Sequence, residues 1–250
     1  MSTTINCSRI ALSLFVPCYN EAQNVALFIE RLAELAPTVS YPFEVIFADG
    51  GSDDGTPDVI RVQATARGLG FISVEEMPPR GGYGRDIMAG LAVAQADVLA
   101  WTHADMQTDP KDVLDAYSLY QSQIADYPRL LIKGKRKNRP FFDVLFTLGM
   151  QVFTLATVKM NISDINAQPK MFSREFYSEH MLQGAPDDFS LDLFTLIQAR
   201  RHNFIVQTLP VVFADRAHGE AKGGGGGLPI KIKLARRTIK YIIETRRRVG

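Results

Sequence analysis

The chain has 250 residues, of which 46% are hydrophobic and 22% charged, a composition typical of a soluble protein with one α/β domain or one domain and an appended tail. Its formal net charge is only +1, but residues 231–250 carry eight basic side chains against one acid, so a basic tail follows an acidic body. Two cysteines form no disulfide or metal-binding pattern, which excludes a disulfide-stapled scaffold and indicates a reducing compartment. The N-terminus lacks a signal-like pattern, so we expect a cytosolic protein.

Short apolar runs alternate with segments of helical periodicity along the first half of the chain. Asn20 can cap the first predicted helix, and Pro57 fits the first turn of the second, where its missing N–H costs nothing. The alternation implies right-handed βαβ units, a mostly parallel sheet and ligands bound beyond the carboxyl ends of the strands. The predicted strands are 11–19, 43–49, 71–76 and 97–105, and the predicted helices between them are 20–36, 56–67 and 84–96.

The second half continues this pattern and adds two unusual segments. Helices are predicted over 111–127 and 187–203, and strands over 129–136 and 204–215. Residues 141–158 have one charge, Asp143, but their polar positions favour a buried or interfacial helix over a membrane span. In the tail, isoleucines interleave with cations. This pattern fits a helix on an anionic membrane surface, which we expect, as well as a helix packed on its own domain or a dimer contact. Nucleic acid is a poor partner because the tail lacks aromatic stacking platforms.

Polar residues follow three of the predicted strands, and they should converge on one crevice. Tyr19, Asn20 and Glu21 follow the first strand, Asp49 the second and Asp105 the fourth. Asp49 opens the loop DGGSDDGT and could accept hydrogen bonds from a base or a ribose. The same loop could instead be an acidic turn in which Asp54 or Thr56 caps the next helix.

The segment WTHADMQTDP, residues 101–110, is a candidate metal site. If the strand continues through it, His103, Asp105 and Gln107 point the same way. A carboxylate and an amide oxygen are hard ligands suited to Mg²⁺ or Mn²⁺, and two suffice for an ion that also binds substrate phosphates. The alternative is that Asp105 or Asp109 only caps the following helix.

Two basic segments suggest anion binding. FADRAHGEAKGGGGG gathers Arg216, His218 and Lys222 among glycines, which suits a mobile lid over a diphosphate. The alternative is a disordered linker, which would explain the run of glycines but not the preceding FADR segment. The turn KGKRKNR, residues 133–139, could hold a phosphate or could be a solvated basic loop.

Taken in order, these motifs resemble the family 2 glycosyltransferases, which have the GT-A fold, over about residues 12–222. FVPCYNEAQNV resembles PxYNExxN, and DGGSDDGT resembles DDGSTDGT with Gly50 in place of the second acid. WTHADMQTDP resembles the end of the segment that runs from a glycine-rich turn to DADLQxPP, with His103 at the first acid. FADRAHGEAKGG is similar to the FxDRxxGxSK loop of the dolichyl-phosphate mannose synthase branch, and DINAQPKMF stands where that branch has DxTSGFRxF.

The resemblance implies a role for each matching residue. The implied nucleotide-sugar site comprises Pro17, Tyr19, Glu21, Asp49, His103 and Asp105. Asp105 and Gln107 would bind Mg²⁺ or Mn²⁺, while Arg216 and Lys222 would grip the diphosphate. The implied site for the acceptor phosphate comprises Lys135, Arg136, Arg139 and Lys170.

The resulting hypothesis is an inverting, metal-dependent glycosyltransferase at the cytoplasmic face of the membrane. It would consist of a GT-A domain over 1–222 and a glycine-rich linker with a basic helix over 223–250, and would move a sugar from a GDP- or UDP-sugar to a polyprenyl phosphate. One alternative is transfer to a saccharide or glycolipid hydroxyl, for which Asp188 or Asp187 would be the base. Another is a non-catalytic nucleotide-binding scaffold, suggested by Gly50 and His103. The base, the sugar and the oligomeric state stay open.

Overall fold

A computed structural model describes residues 9–78, 81–137, 162–214 and 216–218. In this part of the chain, strands and helices alternate as the sequence predicts. The strands are β1 (Leu12–Cys18), β2 (Phe43–Asp49), β3 (Ile72–Glu76), β4 (Val98–Trp101), β5 (Leu130–Lys137), β6 (Lys170–Ser173) and β7 (Ile205–Val212). The helices are α1 (Ala22–Leu35), α2 (Thr56–Ala66), α3 (Tyr83–Val93), α4 (Lys111–Gln123), α5 (Arg174–His180) and α6 (Leu191–Arg201), with a 3₁₀ turn at Ala36–Thr38.

The described strands form one seven-stranded sheet in the order β3-β2-β1-β4-β6-β5-β7. β6 runs antiparallel to both of its neighbours, and the other pairs are parallel. The mostly parallel α/β sheet predicted from the sequence is therefore confirmed. Strand order reverses beside β1, which lies between β2 and β4, so the crevice expected at such a switch point opens at the carboxyl ends of these strands.

The central strands β1, β2 and β4 are buried on both faces, which explains why they are largely continuous apolar runs rather than alternating ones. Along β1, Leu14 and Val16 pack under α1 and α4, whereas Phe15 packs on the opposite face with residues of α3 and α6. Trp101 at the end of β4 is fully buried on that second face, against Phe172. Core packing on two sides fixes where each strand ends, and with it the loops that carry polar residues.

Two local predictions are wrong. β4 ends at Trp101, where the chain turns, and Met106 has a φ of 58°. Strand alternation therefore does not align residues 103, 105 and 107. Asn20 does not cap α1. Its amide instead pairs with Asp53, and the backbone N–H of Ala22 donates to Asp54 Oδ2 over 3.0 Å.

The pair β6 and α5 was not predicted, because four residues are too few to show a period. Ser173 ends β6 and caps α5 by accepting a hydrogen bond from the N–H of Phe176 at 3.1 Å. The predictions for 141–158, Arg139, Lys222 and the tail lie outside the described residues. Among the helices that are described, none combines the length and the apolar character needed to cross a bilayer.

Candidate active site

The loops after β1 and β2 are tied to each other, which builds one wall of the crevice. Asp49 is only 2% exposed, and its carboxylate accepts hydrogen bonds from the N–H groups of Gly51 and Ser52 at 3.0 and 2.8 Å. Ser52 in turn accepts from the N–H of Asn20 at 2.7 Å. Asp49 thus shapes its own loop, while Tyr19 stands 44% exposed at the rim.

The capping role considered for this loop belongs to Asp54. Its carboxylate accepts from the N–H of Thr56 and, across the crevice wall, from the N–H of Ala22, both at 3.0 Å. Burial raises the pKa of Asp54, but hydrogen bonds from the Thr56 hydroxyl and from these two N–H groups outweigh burial and hold its pKa below the usual range. Asp54 therefore accepts hydrogen bonds from the first N–H groups of α1 and α2, and Asp49 does not.

The two acids in the loop after β4 differ in role: one caps the next helix, and the other is a candidate metal ligand. Asp109 accepts a hydrogen bond from the N–H of Lys111 at 2.8 Å and pairs with Arg31, so it caps α4. Asp105 accepts a hydrogen bond from the N–H of Gln107 at 3.2 Å, and among the described residues it does not cap a helix. The Gln107 amide nitrogen donates to the carbonyl oxygen of Ala214 at 3.3 Å, which leaves its amide oxygen for another partner.

Arg216 contacts both the loop after β1 and the loop after β4. Its guanidinium forms an ion pair with Glu21, and Nη1 lies 3.9 Å from Asp105 Oδ2. The carbonyl oxygen of His218 accepts from Arg216 Nε at 2.9 Å and from Asn24 Nδ2 at 3.1 Å, which holds the segment after β7 against α1. Three of the predicted site residues from distant parts of the sequence therefore meet.

This arrangement fits a divalent ion that is shared with a substrate. Among the described residues, no group of three or more His, Cys, Asp or Glu side chains is placed to hold a metal ion. Asp105 and Gln107 could supply two oxygen ligands, and a diphosphate with water would complete the shell, as Mg²⁺ commonly requires. An anion there would also give Arg216 a partner other than the two carboxylates.

A buried polar network, largely missed by the sequence analysis, lies on the β6 side of the crevice. The Tyr83 hydroxyl lies 3.0 Å from His103 Nε2 and 3.2 Å from Asp192 Oδ2. Gln168 Nε2 donates to Asp192 Oδ1 at 3.0 Å and to the Tyr83 hydroxyl at 3.2 Å. Asp192, only 1% exposed, also pairs with Lys170. An acid inside the apolar segment FSLDLF was the one sequence signal for this network.

Lys170, which was predicted to bind the acceptor phosphate, lies inside the protein. Its ammonium is fully buried, pairs with Asp192 and lies 5.7 Å from the centre of the Trp101 ring. Burial lowers its pKa, against the opposing effect of Asp192. The strand β6 points this side chain into the core, which a motif comparison could not reveal.

Of the other predicted acceptor residues that the structure describes, one is exposed to solvent and one is held in an ion pair. Lys135 is exposed, whereas Arg136 is bound by Asp164, whose carboxylate accepts from Arg136 N and Nε at 2.8 Å each. Burial raises the pKa of Asp164, but Arg136 more than reverses this and keeps it low. Of the described residues in this set, Lys135 is thus the one whose ammonium stands free in solvent.

Asp188 lies in a loop that is seated on α3. The carbonyl oxygen of Asp187 accepts from the N–H groups of Gly84 and Arg85 at 2.9 and 3.2 Å. A Cβ on Gly84 would come 2.1 Å from the carbonyl oxygen of Pro186, so only glycine allows this contact. Asp188 accepts from the N–H of Ser190 at 2.8 Å and is partly buried, which places a carboxylate beside the start of α6.

Acids, an amide and an arginine thus line the carboxyl ends of the strands beside β1, where α/β sheets commonly bind ligands. The family model "Glycosyl transferase family 2" matches residues 13–180. The chain belongs to that family, which confirms the resemblance.

Two curated relatives are named for polyprenyl-phosphate substrates. The chain is 36% identical over 132 residues to dodecaprenyl-phosphate galacturonate synthase of Rhizobium johnstonii, which covers 52% of this chain and 37% of the relative. It is 24% identical over 215 residues to undecaprenyl-phosphate 4-deoxy-4-formamido-L-arabinose transferase of Aeromonas hydrophila, which covers 85% of this chain and 63% of that protein. The chain therefore spans about a third to two thirds of the length of these relatives.

Solved structures confirm the predicted fold. Glucosyl-3-phosphoglycerate synthase from Mycobacterium tuberculosis, in complex with Mn²⁺, UDP and glucosyl-3-phosphoglycerate, has a TM-score of 0.67 at 20% identity, over 95% of this chain and 80% of that one. A mannosyltransferase from Pyrobaculum calidifontis, in complex with GDP-Man and Mn²⁺, has a TM-score of 0.62 at 19% identity, over 96% and 74% of the two chains. At such identities the likeness establishes the architecture alone.

Proposed function

We propose that this protein is an inverting, metal-dependent glycosyltransferase that moves a sugar from a nucleoside-diphosphate sugar to a polyprenyl phosphate. The observation that carries the proposal is the meeting of Glu21, Asp105 and Arg216 at the carboxyl ends of β1 and β4. Family membership supports the reaction class, the Mn²⁺ complexes support a divalent ion, and the names of the relatives support a lipid phosphate acceptor.

The mechanism follows from where charge develops. Cleavage of the bond between sugar and diphosphate builds negative charge on the leaving group, which prearranged cations stabilise most in the transition state. Arg216 would bind the diphosphate, and Lys222 matches a second cation of the family loop. Asp105 and Gln107 would hold Mg²⁺ or Mn²⁺, which supplies Lewis-acid charge to the diphosphate when bound. Attack on the face opposite the leaving group inverts the configuration.

The acceptor determines whether a base is needed. A phosphate monoester has a second pKa of about 6, so it is already mostly ionised at pH 7 and attacks without a base. It needs cations to hold it, for which Lys135 is available and Arg139 is predicted. A hydroxyl acceptor would need a base, and the partly buried carboxylate of Asp188 is the candidate.

Substitution of Asp188 by Asn separates these two acceptors. For a lipid phosphate acceptor we expect turnover close to that of the unchanged protein, because no proton has to be removed. For a hydroxyl acceptor, loss of the base would lower turnover by a factor on the order of 10² to 10⁴. Asp187→Asn tests the other candidate base in the same way, and it should leave the contact with α3 intact because that contact uses the backbone carbonyl of Asp187 and not its side chain.

The basic tail is proposed to hold the protein at the inner membrane face. Each cation near an anionic surface contributes about 1 kcal/mol, and residues 231–250 carry eight of them. Sedimentation with vesicles of phosphatidylglycerol and phosphatidylcholine tests this. We expect binding to the anionic vesicles that weakens with salt, and a chain truncated after residue 222 should stay in the supernatant.

A thermal-shift screen of nucleoside diphosphates and nucleotide sugars with Mn²⁺ or Mg²⁺, followed by a turnover assay, separates the enzyme from the scaffold alternative. Stabilisation by the ligand identifies the donor nucleotide. Metal-dependent hydrolysis or transfer of the identified donor supports the enzyme, whereas binding without turnover of any donor supports the scaffold.

A further inference from the structure

The side chain of Asp86 occupies the space beside Gly50, the position at which this chain lacks the acid of the family loop. A Cβ built on Gly50 would lie 3.2 Å from Asp86 Oδ2 and 3.8 Å from the Cβ of Tyr19. A Cβ on Gly81 would lie 2.7 Å from Asp86 Oδ1. Two glycines thus leave room for one carboxylate, which α3 supplies instead of the loop after β2.

Within the described parts of the chain, no hydrogen bond or ion pair engages the Asp86 carboxylate. Burial, with Asp49 adding to it and Arg85 opposing it, raises the pKa of Asp86 to about 6. Holding a half-buried carboxylate in this way costs folding free energy, and polar groups kept at such a cost commonly meet a ligand. Asp49 cannot take this role as easily, because three donors of its own loop already bind its carboxylate.

The order of the strands shows which part of a donor would reach Asp86. A diphosphate at Asp105 and Arg216 lies over β4 and β1. Asp86 lies on the other side of β1, toward β2, where Tyr19 stands exposed at the rim. A nucleotide whose diphosphate is bound at Asp105 and Arg216 would therefore extend its nucleoside toward Asp86 and Tyr19.

We propose that Asp86 binds the base of the donor nucleotide and favours guanine over uracil. This inference rests on the proposed function. A carboxylate only accepts hydrogen bonds, and its two oxygens suit two adjacent donors. Guanine offers adjacent N–H donors on its Watson–Crick edge, whereas uracil offers a single N–H between two carbonyl oxygens that repel a carboxylate.

Calorimetric titration with GDP, UDP and inorganic diphosphate, each with Mn²⁺ at pH 8, tests the proposal on Asp86→Ala. We expect GDP affinity to fall by about tenfold or more, UDP affinity to fall less, and diphosphate affinity to stay unchanged. Asp112→Asn is the matched control, because Asp112 is also a half-buried acid in the first turn of a helix with a pKa raised to about 6, but on α4. It should bind all three ligands normally.

Returning the acid to position 50 provides the second test. Gly50→Asp in the Asp86→Ala background should restore at least half of the lost GDP affinity, measured as log Kd, because a carboxylate again stands in the same space. Gly50→Asp alone should bind GDP less well than the unchanged protein, since two carboxylates would then crowd one place. The thermal midpoint of Asp86→Ala should equal or exceed that of the unchanged protein at pH 8, which separates binding from folding.

Equal losses of GDP and UDP affinity would overturn the proposal by placing the contact on the shared ribose. Unchanged GDP affinity in Asp86→Ala, or a double variant that is no better than Asp86→Ala, would also overturn it. These results differ from a failure of the proposed function, in which the unchanged protein would bind none of the three ligands.

Discussion

Nε2 of His103 lies 3.0 Å from the hydroxyl oxygen of Tyr83. His103 stands at the position of an acid in the family motif, so it could be taken for a damaged metal site. The contact links its Nε2 to the buried network around Asp192. The metal ligands proposed here are Asp105 and Gln107, two and four residues further on.

The first prediction concerns Tyr83→Phe, which removes the hydroxyl between His103 and Asp192. Asp192 Oδ2 then loses a buried hydrogen bond, and we expect the free energy of unfolding to fall by about 1–3 kcal/mol. Chemical denaturation measures the change. Tyr120→Phe is the control, since Tyr120 is buried but its hydroxyl has no hydrogen-bond partner among the described residues. Equal effects of the two substitutions would show that the network adds nothing.

The second prediction concerns His103→Asp. If Asp105 and Gln107 are the ligands, the added charge should strengthen binding of Mg²⁺ and Mn²⁺ alike and leave their affinity ratio unchanged. Imidazole prefers transition metals, so direct ligation by His103 would make the variant lose preference for Mn²⁺. Titration of both ions in the presence of a saturating nucleoside diphosphate measures the ratio.

The third prediction separates the two acids of the loop after β4. Asp105→Asn should abolish the increase in thermal midpoint that Mn²⁺ adds to a bound nucleoside diphosphate, because one of two metal ligands loses its charge. Asp109→Ala should lower the midpoint of the free protein, since Ala cannot accept the hydrogen bond from Lys111 with which Asp109 caps α4, but should keep the Mn²⁺ effect. A Mn²⁺ effect that survives in Asp105→Asn would place the metal elsewhere.

The fourth prediction concerns the buried pair of Lys170 and Asp192. Lys170→Met leaves a carboxylate buried without its cation, which typically costs about 3–5 kcal/mol of folding free energy. Lys111→Met removes an exposed pair with Asp115 and should cost about 0.5 kcal/mol. If Lys170 served the acceptor and not the fold, Lys170→Met would keep its stability and lose affinity for the lipid phosphate.

The fifth prediction concerns pH. Burial, together with Lys170, lowers the pKa of Lys133 to about 7 in the folded protein, from an ordinary value of 10.5. Between these values the unfolded chain binds more protons, so this residue makes the protein more stable as the pH rises from 7 toward 10. Lys133→Met should remove that rise. Denaturation at pH 7, 8 and 9 measures it, and parallel curves for both proteins would contradict the shift.

The sequence predicts most of the sheet because its core strands are buried on both faces and so read as continuous apolar runs. It also predicts the three segments that meet at Arg216, since each follows a strand whose end the core fixes. The roles of the single residues in that site stay predictions.

Other features depend on contacts that no local pattern encodes. Lys170 and Asp192 are far apart in the sequence, and each alone resembles a surface residue. The Asp86 carboxylate fits where it does because Gly50 and Gly81 have no side chains, and the sequence alone does not show that these two loops lie beside Asp86. Asp105 and Asp109 cannot be distinguished by type, and only the hydrogen bond to Lys111 assigns the capping role.

The central claim is transfer of a sugar to a lipid phosphate, and it is tested most directly with a labelled donor. The donor identified by thermal shift, labelled in its sugar, would be incubated with undecaprenyl phosphate in detergent micelles and Mn²⁺. We expect a labelled lipid product that is sensitive to mild acid, and that disappears with EDTA and in Asp105→Asn. Donor turnover that never labels the lipid phosphate, or labelling that is unaffected by EDTA, would contradict the account.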